Sequence, residues 1–446
     1  MAIKSRAELT GAASRRRVLR LAIPNIVSNI TVPLLSAVDT AMMGRMPALA
    51  HLEAIAMGGL IVSTIYWLFG FLRMGATGTG AQAHGRGDDA AAANVLYRAL
   101  LVALPAGLLI ILFAPLIADI GLLIADVKRQ TGVFAREYLT IRFLAAPAAL
   151  AMLALNGWFL GMQNARIVMV LAIGINLVNI LANLLFVYGL GLEHEGVAWG
   201  SVAAQYSGLA VAVFALRRGY RSQLRLFNWA HILERSGLRA FFNLHTDIFV
   251  RTLCLEFVYV SFYMLSPRLG LLTLAANQLL MQFWTMTAYG VDGFAFAIES
   301  LVGNAIGKRD EQRLRLDVRT GFIWSFGIAL VCGLAIALFG REFLFIFSDK
   351  TELVNFAHEF IGWMVLVPLV SVPAYLWDGA YIGATAGRDM RRIMILATFG
   401  VFVPTAALAV PLWSNHGLWA AMITFTLARA VFMSRSAGRV VLAAAR

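Results

Sequence analysis

The 446 residues are 60% hydrophobic and only 14% charged, with a mean hydropathy of +0.77. That composition excludes a soluble globular domain and a disordered chain, and it describes an all-α polytopic membrane protein. The formal charge of +13 does not point to nucleic acid, because the basic residues fall in short clusters between apolar runs, the pattern of the positive-inside rule.

In chain order, the apolar runs predict twelve transmembrane helices. They lie near 18–42, 52–80, 95–119, 134–160, 167–189, 196–216, 240–265, 271–303, 320–346, 355–384, 393–414 and 416–435. The basic start carries no small-residue cleavage site, so the first run is expected to stay in place as a span. That run holds one carboxylate, Asp39, and two prolines, Pro24 and Pro33, which are expected to interrupt the helix and free backbone carbonyls. An acid within a span is costly and normally faces a bundle interior where it works as a proton or cation site. The plainer reading is that Asp39 caps the outer end of the helix. Arginines concentrate in alternate connections: before the first span, around Arg86, Arg98 and Arg166, from Arg217 to Arg239, from Lys308 to Arg319, from Arg388 to Arg392, and in the tail from Arg435. Both termini are therefore expected in the cytoplasm.

The halves repeat. GAQAHGRGD at 80–88 parallels VGNAIGKRD at 302–310, and NGWFLGMQNAR at 156–166 parallels DGAYIGATAGR at 378–388, both with an offset of 222 residues. GVAWG at 196 echoes GLWAA at 417. Six spans per half predict two six-helix bundles of one orientation, related by a pseudo-two-fold axis along the membrane normal around a central cleft. The expected domains are an N-terminal lobe, 1–216, a cytoplasmic basic linker, 217–239, and a C-terminal lobe, 240–446.

Polar residues inside the predicted spans are the candidates for function. In the first half they are Asp39, Asn156, Asn176, Asn179, Asn183 and Ser201. Asn176, Asn179 and Asn183 share one face of the fifth helix. The plainer reading of each Asn is interhelical glue, worth ~1 kcal/mol. The second half carries Glu256, Asp292, Glu299 and Asp378, along with Arg251, and a buried Arg251 paired with one of these acids would be a structural ion pair. In the repeat, Asp378 takes the place of Asn156 and Glu299 that of Thr77. Arg73 also lies within a span, where it is expected to pair with an acid or reach a cavity.

Met42, Met43, Tyr66, Trp67, Met74, Met281, Phe283, Trp284, Met286 and Tyr289 would line a cavity suited to organic cations, since thioethers adapt to shape and aromatic faces attract positive charge. Such residues at helical spacing also simply pack or face lipid. Cys254 and Cys332 sit in apolar runs, so no disulfide is expected, and the seven histidines show no metal-ligand spacing. No phosphate-binding glycine loop, HExxH or nucleophile elbow appears, which argues against an enzyme.

Four stretches together resemble the multidrug and toxic compound extrusion (MATE) transporters, and within them the DinF branch. They are PNIVSNITVPLLSAVDTAMMGR, FLRMGATGTGAQAHGRGD, DGFAFAIESLVGNAIGKRD and YLWDGAYIGATAGRD. The resemblance implies a monomeric carrier in the bacterial inner membrane that exports cationic and amphiphilic organic compounds in exchange for H⁺ or Na⁺, with no organic cofactor. It implies coupling at Asp39 and a polar network through Asn179, Asn183 and Ser201. Where the family commonly carries a second Asp, this sequence has Asn183. Resemblance to the NorM-like branch further implies Na⁺ binding near Glu256 and Asp378. The alternative is a flippase for lipid-linked precursors from the same superfamily. Its cleft should be markedly cationic to hold pyrophosphate, whereas most intramembrane charges noted here are acids.

Overall fold

The computed structural model describes residues 10–43, 49–124 and 129–446, and their side chains except those of 32–43, 49, 129 and 130. Among the described residues the chain is helical, with no strand. The helices are α1 (Gly11–Met43), α2 (Leu49–Leu68), α3 (Gly70–Arg86), α4 (Asp89–Leu112), α5 (Ala114–Ile124), α6 (Arg129–Phe143), α7 (Ala146–Gly161), α8 (Ala165–Asn183), α9 (His194–Gly219), α10 (Arg221–Leu224), α11 (Trp229–Ile232), α12 (Arg235–Leu265), α13 (Leu271–Gly307), α14 (Glu311–Phe347), α15 (Thr351–His358), α16 (Ile361–Gly383), α17 (Gly387–Ala397) and α18 (Val403–Ala437).

Eight helical segments among the described residues are long and apolar enough to cross a membrane, and nine if α6 and α7, bent by 52°, form one span. The segment Gly387–Ala445 holds two of the expected spans, because the backbone breaks at Ser414, where φ is 48°. With α1 and α13, every one of the twelve expected spans is helical. One local expectation is corrected. Pro24 and Pro33 do not interrupt α1, which runs through both as a single helix. A proline removes one backbone hydrogen bond, and the many intact turns on either side keep the helix continuous.

The chain divides into two compact units. One is Val27–Phe242, here the first unit; the other, the second unit, is Asn243–Arg446 together with the chain up to Ile26. The start of α1 joins the second unit through a buried carboxylate on α14. Asp317, wholly removed from solvent, accepts hydrogen bonds from Ser14 Oγ at 2.7 Å and from Arg17 at 2.7 and 3.2 Å. In the first unit, the basic stretch after α9 is folded onto α4. Arg98 donates to the carbonyls of His231 and Ile232 at 2.6 and 3.0 Å, Tyr97 Oη to that of Leu224 at 3.0 Å, and Gln223 to Asp89 at 2.9 Å.

The sequence repeat is also a repeat of geometry within each unit. Gly157 on α7 lies against the backbone of Arg73 on α3, and Gly379 on α16 lies against that of Ala295 on α13. One turn further on, Gly161 meets the carbonyl of Thr77 and Gly383 that of Glu299. The offset of 222 residues holds for both partners of each pair. The turns that follow match too: Gln163 and Thr385 take φ of 60° and 54°, and Asp88 and Asp310 cap the next helices by accepting from backbone N–H groups at 2.8 and 2.9 Å. Small residues that let helix backbones touch are the usual means of packing in a bilayer, where water does not drive helices together.

A Cβ at Gly379 would collide with the Ala295 carbonyl, which belongs to rigid backbone. Gly379→Ala should therefore cost about 1–3 kcal/mol, the range for overpacking. It should lower the apparent melting temperature of the detergent-solubilised protein. Gly174→Ala, at a site with nothing within 4 Å, should leave that temperature unchanged.

Candidate functional site

Each unit carries a polar cluster within its helices. In the first unit it spans α8 and α9. Asn183 donates to Asn179 Oδ1 at 3.2 Å, and Asn179 donates to Ser201 Oγ at 3.1 Å. Both asparagines are buried, and Gly200 on α9 leaves the space that the Asn183 amide oxygen fills. Asn176, one turn earlier, donates to the Thr31 carbonyl of α1 at 3.2 Å. The stripe of three asparagines thus ties α8 to both α9 and α1. Directly after Asn183 the helix widens into a π-helical turn, Leu184–Gly189, a feature that often marks functional sites. Asp39 and Met43 lie outside the described residues as side chains, although the α1 backbone passes through both.

Asn156 stands apart from this group, on α7. Its Oδ1 is buried and has no hydrogen-bond partner among the described residues. The repeat-related Asp378 shows the same feature: its Oδ1 is buried without a partner while its Oδ2 is held by two arginines. An acceptor left bare in a low-dielectric interior costs roughly 1–3 kcal/mol, so these two oxygens are places where a proton, a cation or a ligand donor gains most.

The second unit's cluster is charged. Asp378 Oδ2 accepts from Arg251 Nη2 and, at 3.2 Å, from Arg429 Nη2. Both arginines are buried, at 5% and 2% exposure, so two cations share this one carboxylate inside the helices. Arg429 is absent from the sequence reading, which grouped the C-terminal cations from Arg435 onward. Its position within WAAMITFTLARAVFM is the signal that could have found it. Asp292 lies within electrostatic reach of Arg429, Tyr259 and Tyr375, and Trp284 Nε1 donates to Tyr375 Oη at 3.1 Å. Glu299 is fully buried on α13, at the level where α16 crosses closest, and Glu256 is half-buried on α12.

The residues expected to line a cavity are divided between the two units. Tyr66 and Met74 belong to the first unit, where Arg142 sits 5.6 Å above the Tyr66 ring. Met281 and Trp284 are packed into the second unit's aromatic core, with the Trp284 ring 6.4 Å from Trp419. Met286 is exposed and Tyr289 is half-buried near Asp292.

The MatE family model matches this chain at residues 24–185 and 248–408, once in each repeat. The chain belongs to the MatE family. It is 36% identical to the DNA damage-inducible protein F of Escherichia coli (strain K12), across 95% of this chain and 92% of that protein. It is 29% identical to a probable multidrug resistance protein NorM of Synechococcus sp., across 91% and 90%. Its fold matches a eukaryotic MATE transporter with a TM-score of 0.86 at 16% identity over 98% of each chain. It matches a MOP superfamily transporter from Pyrococcus furiosus with a TM-score of 0.84 at 18% identity over 96% of each. MatE membership makes this chain a multi-pass efflux transporter, not an enzyme, with small molecules as its substrates.

Its two arginine partners predict a structural role for Asp378. Removing the acid of a buried ion group strands its cations and costs about 3–5 kcal/mol. Asp378→Asn should thus lower thermal stability as well as transport. A variant with wild-type melting and lost transport would assign this cluster to ion or substrate binding instead.

Proposed function

We propose that this MatE transporter is a proton-coupled exporter of cationic and amphiphilic organic compounds, with Asp39 as the coupling carboxylate. The observation that carries the reading is the chemistry of the two clusters. On α8 and α9 the linked groups are two carboxamides and a hydroxyl, which donate and accept hydrogen bonds but do not titrate at ordinary pH. They suit the solvation of a protonated or ionised acid, and Asp39 is the only acid in the first span. In the second unit, Asp378 already shares its charge with Arg251 and Arg429. Glu256, Asp292, Glu299 and Asp378 are the acids expected there for a further coupling ion or for the ammonium group of a substrate. Tyr289 and Met286 in that unit, and separately Tyr66 and Met74 in the first, offer aromatic and thioether contacts for substrate.

Two acids beside these arginines, Asp378 against both and Asp292 within reach of Arg429, also weaken the flippase alternative, since a pyrophosphate needs cations whose charge is not already matched. The carrier would act as a monomer in the bacterial inner membrane with both termini in the cytoplasm. Asp39→Asn removes the titrating group and preserves size. It should reach the membrane at wild-type level yet confer no drug resistance on a susceptible host. Resistance equal to that of wild type would remove Asp39 from the coupling step.

A further inference from the structure

At one end of the first unit, three helices meet at a pair of histidines that the transport reading does not use. His51 near the start of α2 and His194 at the start of α9 are both buried, at 6% and 5% exposure. Their Nδ1 atoms face each other at 3.0 Å. Each ring offers its other nitrogen to a carboxylate: His51 Nε2 lies 2.8 Å from Glu193, and His194 Nε2 lies 3.0 Å from Glu137 on α6. Phe134 covers both rings, with centroids 4.3 and 5.0 Å away. The two glutamates are half-exposed, so the buried nitrogens have a polar path to solvent.

Protonation states follow from these contacts. A carboxylate beside Nε2 requires an N–H there, and a neutral imidazole has only one. Each Nδ1 is then a bare lone pair, and two lone pairs cannot face one another at 3.0 Å inside a protein without a cation between them. A single shared proton would satisfy the pair. It leaves the surroundings strongly negative, however, because Glu137, Glu193 and Glu195 together bring three negative charges against one. Among the described residues none of the three is paired with an arginine or lysine. Glu53 on α2 adds a fourth carboxylate nearby, held by Thr131 Oγ1 at 2.9 Å.

We infer that the His51–His194 pair is a binding site for a divalent transition metal of the zinc class. The two Nδ1 atoms are its ligands, and Glu193 and Glu137 orient the rings through their Nε2–H groups. The separation of 3.0 Å approaches the edge of roughly 3.3 Å expected of a tetrahedron with bonds of about 2.0–2.1 Å. A carboxylate on the far nitrogen of each ligating imidazole is the arrangement that fixes the tautomer and raises basicity at metal centres. Glu195, whose carboxylate lies within 4.8 Å of the ligand atoms of His194 and Glu137, and water complete the shell. A bound ion would fasten α2, α6 and α9 together at this end. Residue spacing could not reveal the site, because the two histidines are 143 positions apart.

The test uses untagged, full-length protein in detergent, stripped with EDTA and titrated with Co²⁺ and then Zn²⁺. Wild type should bind one equivalent of Co²⁺ with the visible absorption of a tetrahedral centre, and Zn²⁺ should bleach it. Zn²⁺ should also raise the melting temperature of the stripped protein. His51→Ala and His194→Ala should abolish the absorption, Glu137→Gln should weaken binding by about 10–100-fold, and His358→Ala should change nothing. Should a histidine variant fail to fold, the wild-type absorption and the Zn²⁺-dependent melting shift still decide. Absence of Co²⁺ absorption in wild type, or its survival in both histidine variants, overturns the assignment and leaves a proton as the shared cation.

Discussion

The fold rests on helices that touch through their backbones. Gly157 and Gly161 bring α7 onto α3, and Gly379 and Gly383 bring α16 onto α13. In a bilayer, lipid tails are as apolar as leucine, so close contact and matched carbonyl positions must supply the helix association that water drives in soluble proteins. The same constraint positions the polar chemistry. Asn156 and Asp378 each immediately precede the first glycine of their pair, which holds their oxygens in a dry helix interface.

Two different electrostatic solutions have grown from the repeated frame. The first unit keeps its intramembrane polar network neutral along Asn183, Asn179 and Ser201. The second unit carries buried charge, with Asp378 between Arg251 and Arg429 and Asp292 within electrostatic reach of Arg429. The repeated frame thus carries a neutral hydrogen-bonding network in one unit and buried charge in the other. Ser14 and Arg17, which bind Asp317, add the start of α1 to the second unit while the rest of that helix belongs to the first.

The span positions, the repeat and the polar stripe of α8 were legible because they are periodic or recurrent along the chain. Hydropathy marks a span without reference to any other, and the glycine blocks reveal their kinship by a common offset. That Arg251 would pair with an intramembrane acid was legible, and Asp378 is that acid; which acid it would be was not legible, because Asp378 and Arg429 are far from it in sequence and meet it only through packing. Arg429 itself was hidden by its nearness to the cationic tail. Asp317 lies within a basic connection, and only its burial and its bonds to Ser14 and Arg17 reveal it as the anchor of α1. The prolines of α1 misled because proline propensity is local, whereas continuity of a long membrane helix depends on the turns around it. Methionines and aromatics at helical spacing did not separate core from cavity, and Met281 and Trp284 belong to core packing.

The central claim is that proton movement opposes substrate movement and passes through Asp39. Purified protein in sealed vesicles containing a pH-sensitive dye tests it most directly. Addition of an organic cation outside should make the lumen more alkaline in the complete absence of sodium, and Asp39→Asn should abolish that response. An alkaline shift that requires sodium, or one that persists in the variant, would contradict the account.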